Sequence, residues 1–377
     1  MLPLPATRYS GTTKKQKHNE GRGVGGHRNH ADTCWNTCRM NPNTLTKEMM
    51  LCRFRQSAVM VLCSLLLFLC FAAVEPTRAT AGALVDQPYD IGYGDRLTTK
   101  VFIDGKGPFD FLIDTASSRT IIYERARAQV GLVPVNNERI VVYGLNGVVN
   151  APAVRPGELR ISGERVRELT IAALPNPGGD SEEPDGILGL DVLERYFIAL
   201  DRPEQRLRLF PRASGAPEPY SRWPYVPLKH QKPKRFPFGF WYVDGQYAEL
   251  ERGTTPATTL FDLGAGITII NWQTAYRFQL RKWQLTNRNP TIQQVRDGLG
   301  KESPVARLDG LWISIGDQSW FNQPALIADA PIFGLLDIGG EPAAIIGPGL
   351  LKDESLAVDF ENQRLYIAPK RTMDEPQ

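Results

Sequence analysis

The sequence predicts a mainly β protein made of two similar halves, and three observations predict it. Composition comes first: 377 residues, about 42% hydrophobic, with 34 Gly and 29 Pro, suit many short elements rather than long helices. Second, β-branched and alternating runs are broken by turn signals roughly every ten residues. Third, the chain repeats itself. "TTKVFIDGKGPFDFLIDTASSRTII" (98–122) is echoed by "WYVDGQYAELERGTTPATTLFDLGAGITII" (241–270), and "ILGLDVLERYFIALDRPEQRLRLF" (187–210) by "IIGPGLLKDESLAVDFENQRLYI" (345–367).

Residues 1–48 are polar and read as a non-native or disordered extension, with Met49 or Met50 as the expected start. Gly21, Gly23 and Gly26 match a dinucleotide-binding glycine pattern, but no strand precedes them and no helix follows. Residues 49–81 read as a signal peptide. Arg53 and Arg55 precede an apolar core from Ala58 to Val74, and Ala79-Thr80-Ala81 offers small residues at a cleavage site. The chain is therefore expected to be exported, to a periplasm or the exterior, or membrane-anchored if this segment stays uncleaved. All five cysteines, Cys34, Cys38, Cys52, Cys63 and Cys70, lie in this leader region, so disulfides and thiol chemistry play no part in the folded body. The leader also holds 11 Lys/Arg against 4 Asp/Glu, which leaves 33 basic and 37 acidic residues beyond position 81, a net charge of −4. A basic nucleic-acid footprint is excluded.

The first β half is expected over 82–210, a Pro-rich linker over 211–238, and the second β half over 239–377. In each half a strand-like run reaches Asp-Gly (Asp104-Gly105; Asp244-Gly245), which predicts a hairpin turn. The chain then runs through apolar residues to an aspartate, Asp114 or Asp262, with Thr120 or Thr268 six residues on. Gly189 to Asp201 and Gly347 to Asp359 both span twelve residues. Only "YERARAQVGL" (123–132) and "NWQTAYRFQLRKW" (271–283) read as helical, and Trp241, Trp272 and Trp283 as core. The acidic "GGDSEEPDG" (178–186) reads as a solvated loop.

Chemistry is narrowed by elimination. Beyond the leader there is no cysteine and one histidine, His230, in the linker, which argues against Cys–His catalysis, zinc sites and a Ser–His–Asp triad. Aspartates remain, and the repeat-equivalent Asp114 and Asp262 are the natural pair. A carboxylate ending an apolar run such as "FLID" costs several kcal/mol if buried without partners. Asp114 either caps a local turn or meets a group supplied by the other half.

"FLIDTASS" with "ILGLD", restated as "LFDLGAG" with "IIGPG", resembles the aspartic proteases, and more closely the bacterial retropepsin-like group with both lobes in one chain. The resemblance covers residues 90–370. It implies an all-β, bilobal fold with Asp114 and Asp262 meeting at the base of a cleft, sharing one proton and activating a water against a peptide bond. It implies an extended peptide or protein substrate, no cofactor, no metal and a monomer. Thr115 matches the threonine whose hydroxyl braces the opposite loop. Ala116, Ser117, Gly264 and Ala265 are small enough for backbone N–H groups to approach the carboxylates, and the Ser117 hydroxyl is expected to bond the outer oxygen of Asp114. "IVVYGLNGVVN" (140–150) is the candidate flap, with Gly144 and Gly147 at its tip. Tyr143 either closes on substrate or packs on the sheet; the turn at Gly298 and Gly300 is a second flap or a surface turn. Three departures stand out. Leu263 replaces the second bracing hydroxyl, Ala116 replaces a glycine at a cost of ~1 kcal/mol if φ is positive there, and Asp191 becomes Gly349. The alternative reading is a degenerate relative that binds extended peptides without cutting them.

Overall fold

Alternation builds the first strands. In β2 (Leu97–Ile103), which follows β1 (Val85–Ile91), Leu97, Thr99, Val101 and Ile103 point inward while the residues between them are half-exposed. Asp104 (φ 49°) and Gly105 (φ 76°) then turn the chain into β3 (Lys106–Ile113). Two successive positive φ values match the twist of the flanking strands, as the Asp-Gly pair predicts. The end of β3 is apolar on both faces because Phe111, Leu112 and Ile113 lie between neighbours on either side. The computed structural model describes residues 82–178, 183–212, 215–249, 252–283 and 293–369. The leader and part of the acidic loop (179–182) lie outside the described residues. No helix among the described residues is long and apolar enough to cross a membrane.

The first half continues with β4 (Ile121–Tyr123), α1 (Glu124–Val130), β5 (Pro134–Gly144) and β6 (Gly147–Val154). Then come β7 (Leu159–Ile161), β8 (Glu164–Val166), β9 (Ile171–Leu174), β10 (Gly186–Leu188) and α2 (Leu190–Leu193), ending in β11 (Tyr196–Asp201) and β12 (Arg206–Pro211). The second half opens with β13 (Tyr225–Pro227), β14 (Lys229–Gln231), β15 (Phe240–Glu249), β16 (Thr254–Phe261), β17 (Thr268–Asn271) and α3 (Trp272–Arg277). It closes with β18 (Gln293–Arg296), β19 (Glu302–Ile315), β20 (Gln318–Ala328), α4 (Pro331–Leu335), β21 (Ala343–Ile346), β22 (Leu356–Asp359) and β23 (Arg364–Ile367). The fold is all-β, and its four described helices are one or two turns long.

Strand order is the same in both halves. The first runs β2-β3-β10-β4-β9-β6-β5, the second β15-β16-β21-β17-β20-β19-β18. In each, the strand leading to the aspartate pairs in parallel with the strand leading to a glycine (β3 with β10, β16 with β21). In the second half β19 also pairs with β15, which closes six strands into a barrel. The third part is a six-stranded sheet ordered β13-β23-β22-β11-β12-β1, to which both ends of the described chain contribute.

Three expectations are corrected. Asp244-Gly245 is not a turn: β15 runs through it to Glu249, and Ala248 pairs with Thr254 across the real turn. Gly245 is instead a close-packing position, since a Cβ there would lie 2.6 Å from Thr259 Oγ1 and from the Tyr247 ring. Nor is 211–238 a bare linker. Tyr225–Pro227 forms an edge strand on β23, where proline is tolerated because no partner needs its missing N–H. Phe236 is buried from the same stretch. Among the tryptophans, Trp241 and Trp272 are core, but Trp283 is 64% exposed. His230 stacks on Trp241 at 4.6 Å.

Candidate active site

Each aspartate is held first by its own backbone. The Asp114 N–H donates to the Leu188 carbonyl (3.1 Å), and the Asp262 N–H to the Ile346 carbonyl (2.8 Å), so each loop leaves its strand from the end of the parallel pair. The glycine after each partner strand is a steric requirement. A Cβ on Gly189 would meet the Arg119 and Ser117 carbonyl oxygens at 2.6 and 2.8 Å, and one on Gly347 would meet the Ala265 and Asp262 oxygens at 2.1 and 2.3 Å. This is why the Ile-Leu-Gly and Ile-Ile-Gly runs sit behind the loops.

The loops converge. Thr115 is fully buried; its hydroxyl donates to the Phe261 carbonyl (2.9 Å) and accepts from the Leu263 N–H (2.9 Å), both from the opposite loop. Leu263 has no hydroxyl to return the contact, and its side chain is buried. The Asp114 and Asp262 carboxyls lie on either side of Gly264, close enough to interact electrostatically. Gly264 permits this approach, because a Cβ there would lie 2.7 Å from the Asp114 carboxyl carbon and 3.1 Å from Asp262 Oδ1. Both aspartates lie deep among protein atoms yet keep some solvent-accessible surface.

Two close carboxyls cannot both ionise cheaply, and here their environments differ. Asp114 Oδ1 accepts the N–H groups of Ala116 and Ser117 (2.8 Å each). Burial raises its pKa, while these two donors pull it back. Asp262 Oδ1 accepts the Gly264 N–H (2.8 Å), with the Ala265 N–H nearby. Its pKa is pushed well above the ordinary carboxylate value, first by burial and then by the Asp114 charge. Burial thus raises both carboxyls, and the Asp114 charge adds to the rise at Asp262. Titration belongs to the pair.

Neighbouring residues depart from expectation in two ways. The Ser117 hydroxyl donates to the Arg119 carbonyl (2.7 Å) and not to Asp114, because its N–H already occupies the carboxylate and turns the side chain to its own loop. Ala116 is absent from the described residues with positive φ, so the strain attached to a missing glycine does not arise. The third departure has a steric cause. Asp191 Oδ1 accepts from the Thr120 N–H (2.9 Å) and hydroxyl (2.7 Å), whereas a Cβ on Gly349 would fall 1.8 Å from the Gly266 carbonyl oxygen. The second loop has no room for an aspartate there.

The hairpin of β5 and β6 carries Tyr143, Gly144 and Gly147 at its tip. The Tyr143 ring packs on Phe236 (centroids 4.0 Å apart) and Phe238 (6.0 Å) from the stretch read as linker. The tip touches the turn 297–301 of the second half, whose Gly298 carbonyl accepts the Tyr123 hydroxyl (2.8 Å). Sequence reasoning missed Tyr123. It is buried and lies close enough to Asp114 to feel its charge, so it links the first aspartate loop to the second turn. The available signal was the aligned pair "TIIY" and "TIIN": Asn271 caps α3 through its bond from the Thr274 N–H, while Tyr123 makes no such cap.

Among the described residues no group of three or more His, Cys, Asp or Glu side chains converges as metal ligands would. Residues 99–192 match a family model described as aspartyl protease. The matched stretch contains Asp114, Thr115 and the Ile-Leu-Gly segment behind them; Asp262 lies outside it. None of the curated proteins compared with the chain matches it. Residues 99–192 are thus similar in sequence to an aspartic protease family, a family of peptidases.

Proposed function

We propose that the chain is an aspartic endopeptidase acting on extended peptides or proteins, with Asp114 and Asp262 as its catalytic pair. One observation carries the reading: the loops of two aspartates 148 positions apart are braced together through Thr115, and a Cβ on Gly264 would touch both carboxyls. Ionised Asp114 takes a proton from a water lying against the pair. Protonated Asp262 hydrogen-bonds the scissile carbonyl and stabilises the charge that develops on its oxygen. Water attacks directly, without an acyl-enzyme. Because one chain supplies both carboxyls, a monomer suffices. The apolar leader supports work outside the cytoplasm, on exported proteins. The second reading, a peptide binder without cleavage, is favoured by Leu263, which leaves the loops braced by one hydroxyl.

The test is a broad peptide library digested between acid and neutral pH and read by mass spectrometry. Wild type is expected to cleave. Asp114→Asn and Asp262→Asn are each expected to lose roughly a thousandfold or more of that activity with circular dichroism unchanged. Cleavage that survives both substitutions removes the pair from the mechanism; a silent wild type favours the binder.

A further inference from the structure

Where the tips of the two halves meet, one carboxylate serves both. Asp297 Oδ1 accepts the N–H groups of Leu299 and Lys301 (3.0 Å each), which shapes its own turn. Its other oxygen accepts the N–H of Asn146, at the tip of the β5–β6 hairpin (2.8 Å). Asn146 answers in the opposite direction, its side-chain amide donating to the Lys301 carbonyl (2.8 Å), while the Lys301 ammonium donates to the Val148 carbonyl (3.2 Å). The backbones are pressed together: a Cβ on Gly144 would lie 2.6 Å from the Leu299 side chain and 2.9 Å from Asp297 Oδ2. Leu299 in turn packs on the first half's apolar cluster that includes Leu112, Tyr123, Val142 and Ile187.

Hydrogen bonds to a charged acceptor are the stronger kind, and a single acceptor shared by two segments couples them. If the two tips were held only by their own hairpins, each would open alone. With Asp297 shared, lifting the first hairpin takes a donor from the carboxylate that organises the second turn.

We propose that Asp297 is a positioning residue that clasps the two tips into one cover over the cleft, so that the cover opens as a unit when substrate enters. The role of the cover rests on the cleft being the peptidase site; the clasp itself does not. Amide hydrogen exchange on the full chain tests it without any substrate, so the two readings fail separately. In Asp297→Ala, residues 143–148 and 297–301 should exchange faster together, by roughly tenfold or more, the factor carried by one hydrogen bond to a charged group. Asp297→Asn, nearly the same shape but uncharged, should move both segments in the same direction by less, and it serves if the alanine variant does not fold. Faster exchange confined to 297–301, with 143–148 unchanged, would mean that Asp297 shapes only its own turn, and the clasp would be overturned. On a peptide that wild type cleaves, KM should rise in Asp297→Ala while kcat stays within roughly twofold. An equal fall in kcat and kcat/KM would place the damage at the dyad instead and would also count against the clasp.

Discussion

Asp262 keeps its proton in the folded chain at pH values where an unfolded chain has already released it. Through that window the folded form binds more protons, so stability falls as pH rises from the ordinary value of 3.8 through the raised folded value, and the contribution is fully present only below 3.8. Asp262→Asn removes this slope. Thermal melts between about pH 3 and pH 8 are therefore expected to show the variant gaining on wild type as pH rises. A gap that stays flat would mean that folding does not raise the Asp262 pKa. Peptidase activity should fall through the same window, as the monoprotonated pair is lost. The identity of these residues was legible in "FLIDTASS" and "LFDLGAG". That their titrations interact was not, because it depends on how closely the two loops approach each other.

Between elements, the two aspartate loops are joined by Thr115 alone among bracing hydroxyls, with one bond donated and one accepted across the interface. Thr115→Val keeps the shape and leaves the Phe261 carbonyl and the Leu263 N–H without partners in a buried setting. Such groups cost roughly 1–3 kcal/mol each. Urea denaturation should register a loss in that range or somewhat above, and cleavage should drop more than tenfold as the carboxyls drift apart. Thr115→Ser, which retains the hydroxyl, should recover most of both. A Val variant as stable and active as wild type would show that packing of Leu263 alone holds the loops. At this scale the sequence was read well where the signal was local, as at the Asp104-Gly105 turn and α1. It misled at Asp244-Gly245, where the same dipeptide lies inside a strand because Gly245 makes room for Tyr247 and Thr259.

Across the whole molecule, the six-stranded sheet ties the halves together at its centre, where β11 pairs with β22 and Leu200 lies opposite Leu356. Polar contacts reinforce it: Arg202 donates to the Pro348 carbonyl (2.8 Å) and the Trp241 indole N–H donates to Glu194 (2.5 Å). The halves should therefore unfold as one. No tryptophan lies between residues 82 and 211, so indole fluorescence reports events outside the first half, while circular dichroism reports both. Leu200→Ala, made in the first half at a fully buried position, removes roughly 2–5 kcal/mol of packing. Its fluorescence midpoint in urea should fall together with its circular dichroism midpoint. A fluorescence transition that stays where wild type has it would show two independent folding units.

By itself the sequence determined the β class, the repetition, the two aspartates and the glycines behind them. Each of these is written in a local pattern: side-chain period, turn dipeptide, or a position where no Cβ fits. Only the tertiary structure decided what the halves do to each other. Thr115 reaching Phe261, Tyr123 reaching Gly298 and Asp297 reaching Asn146 join residues 146 to 175 positions apart. No local pattern carries those pairings, because they exist only once both sheets have closed and the shared sheet has set the distance between their loops.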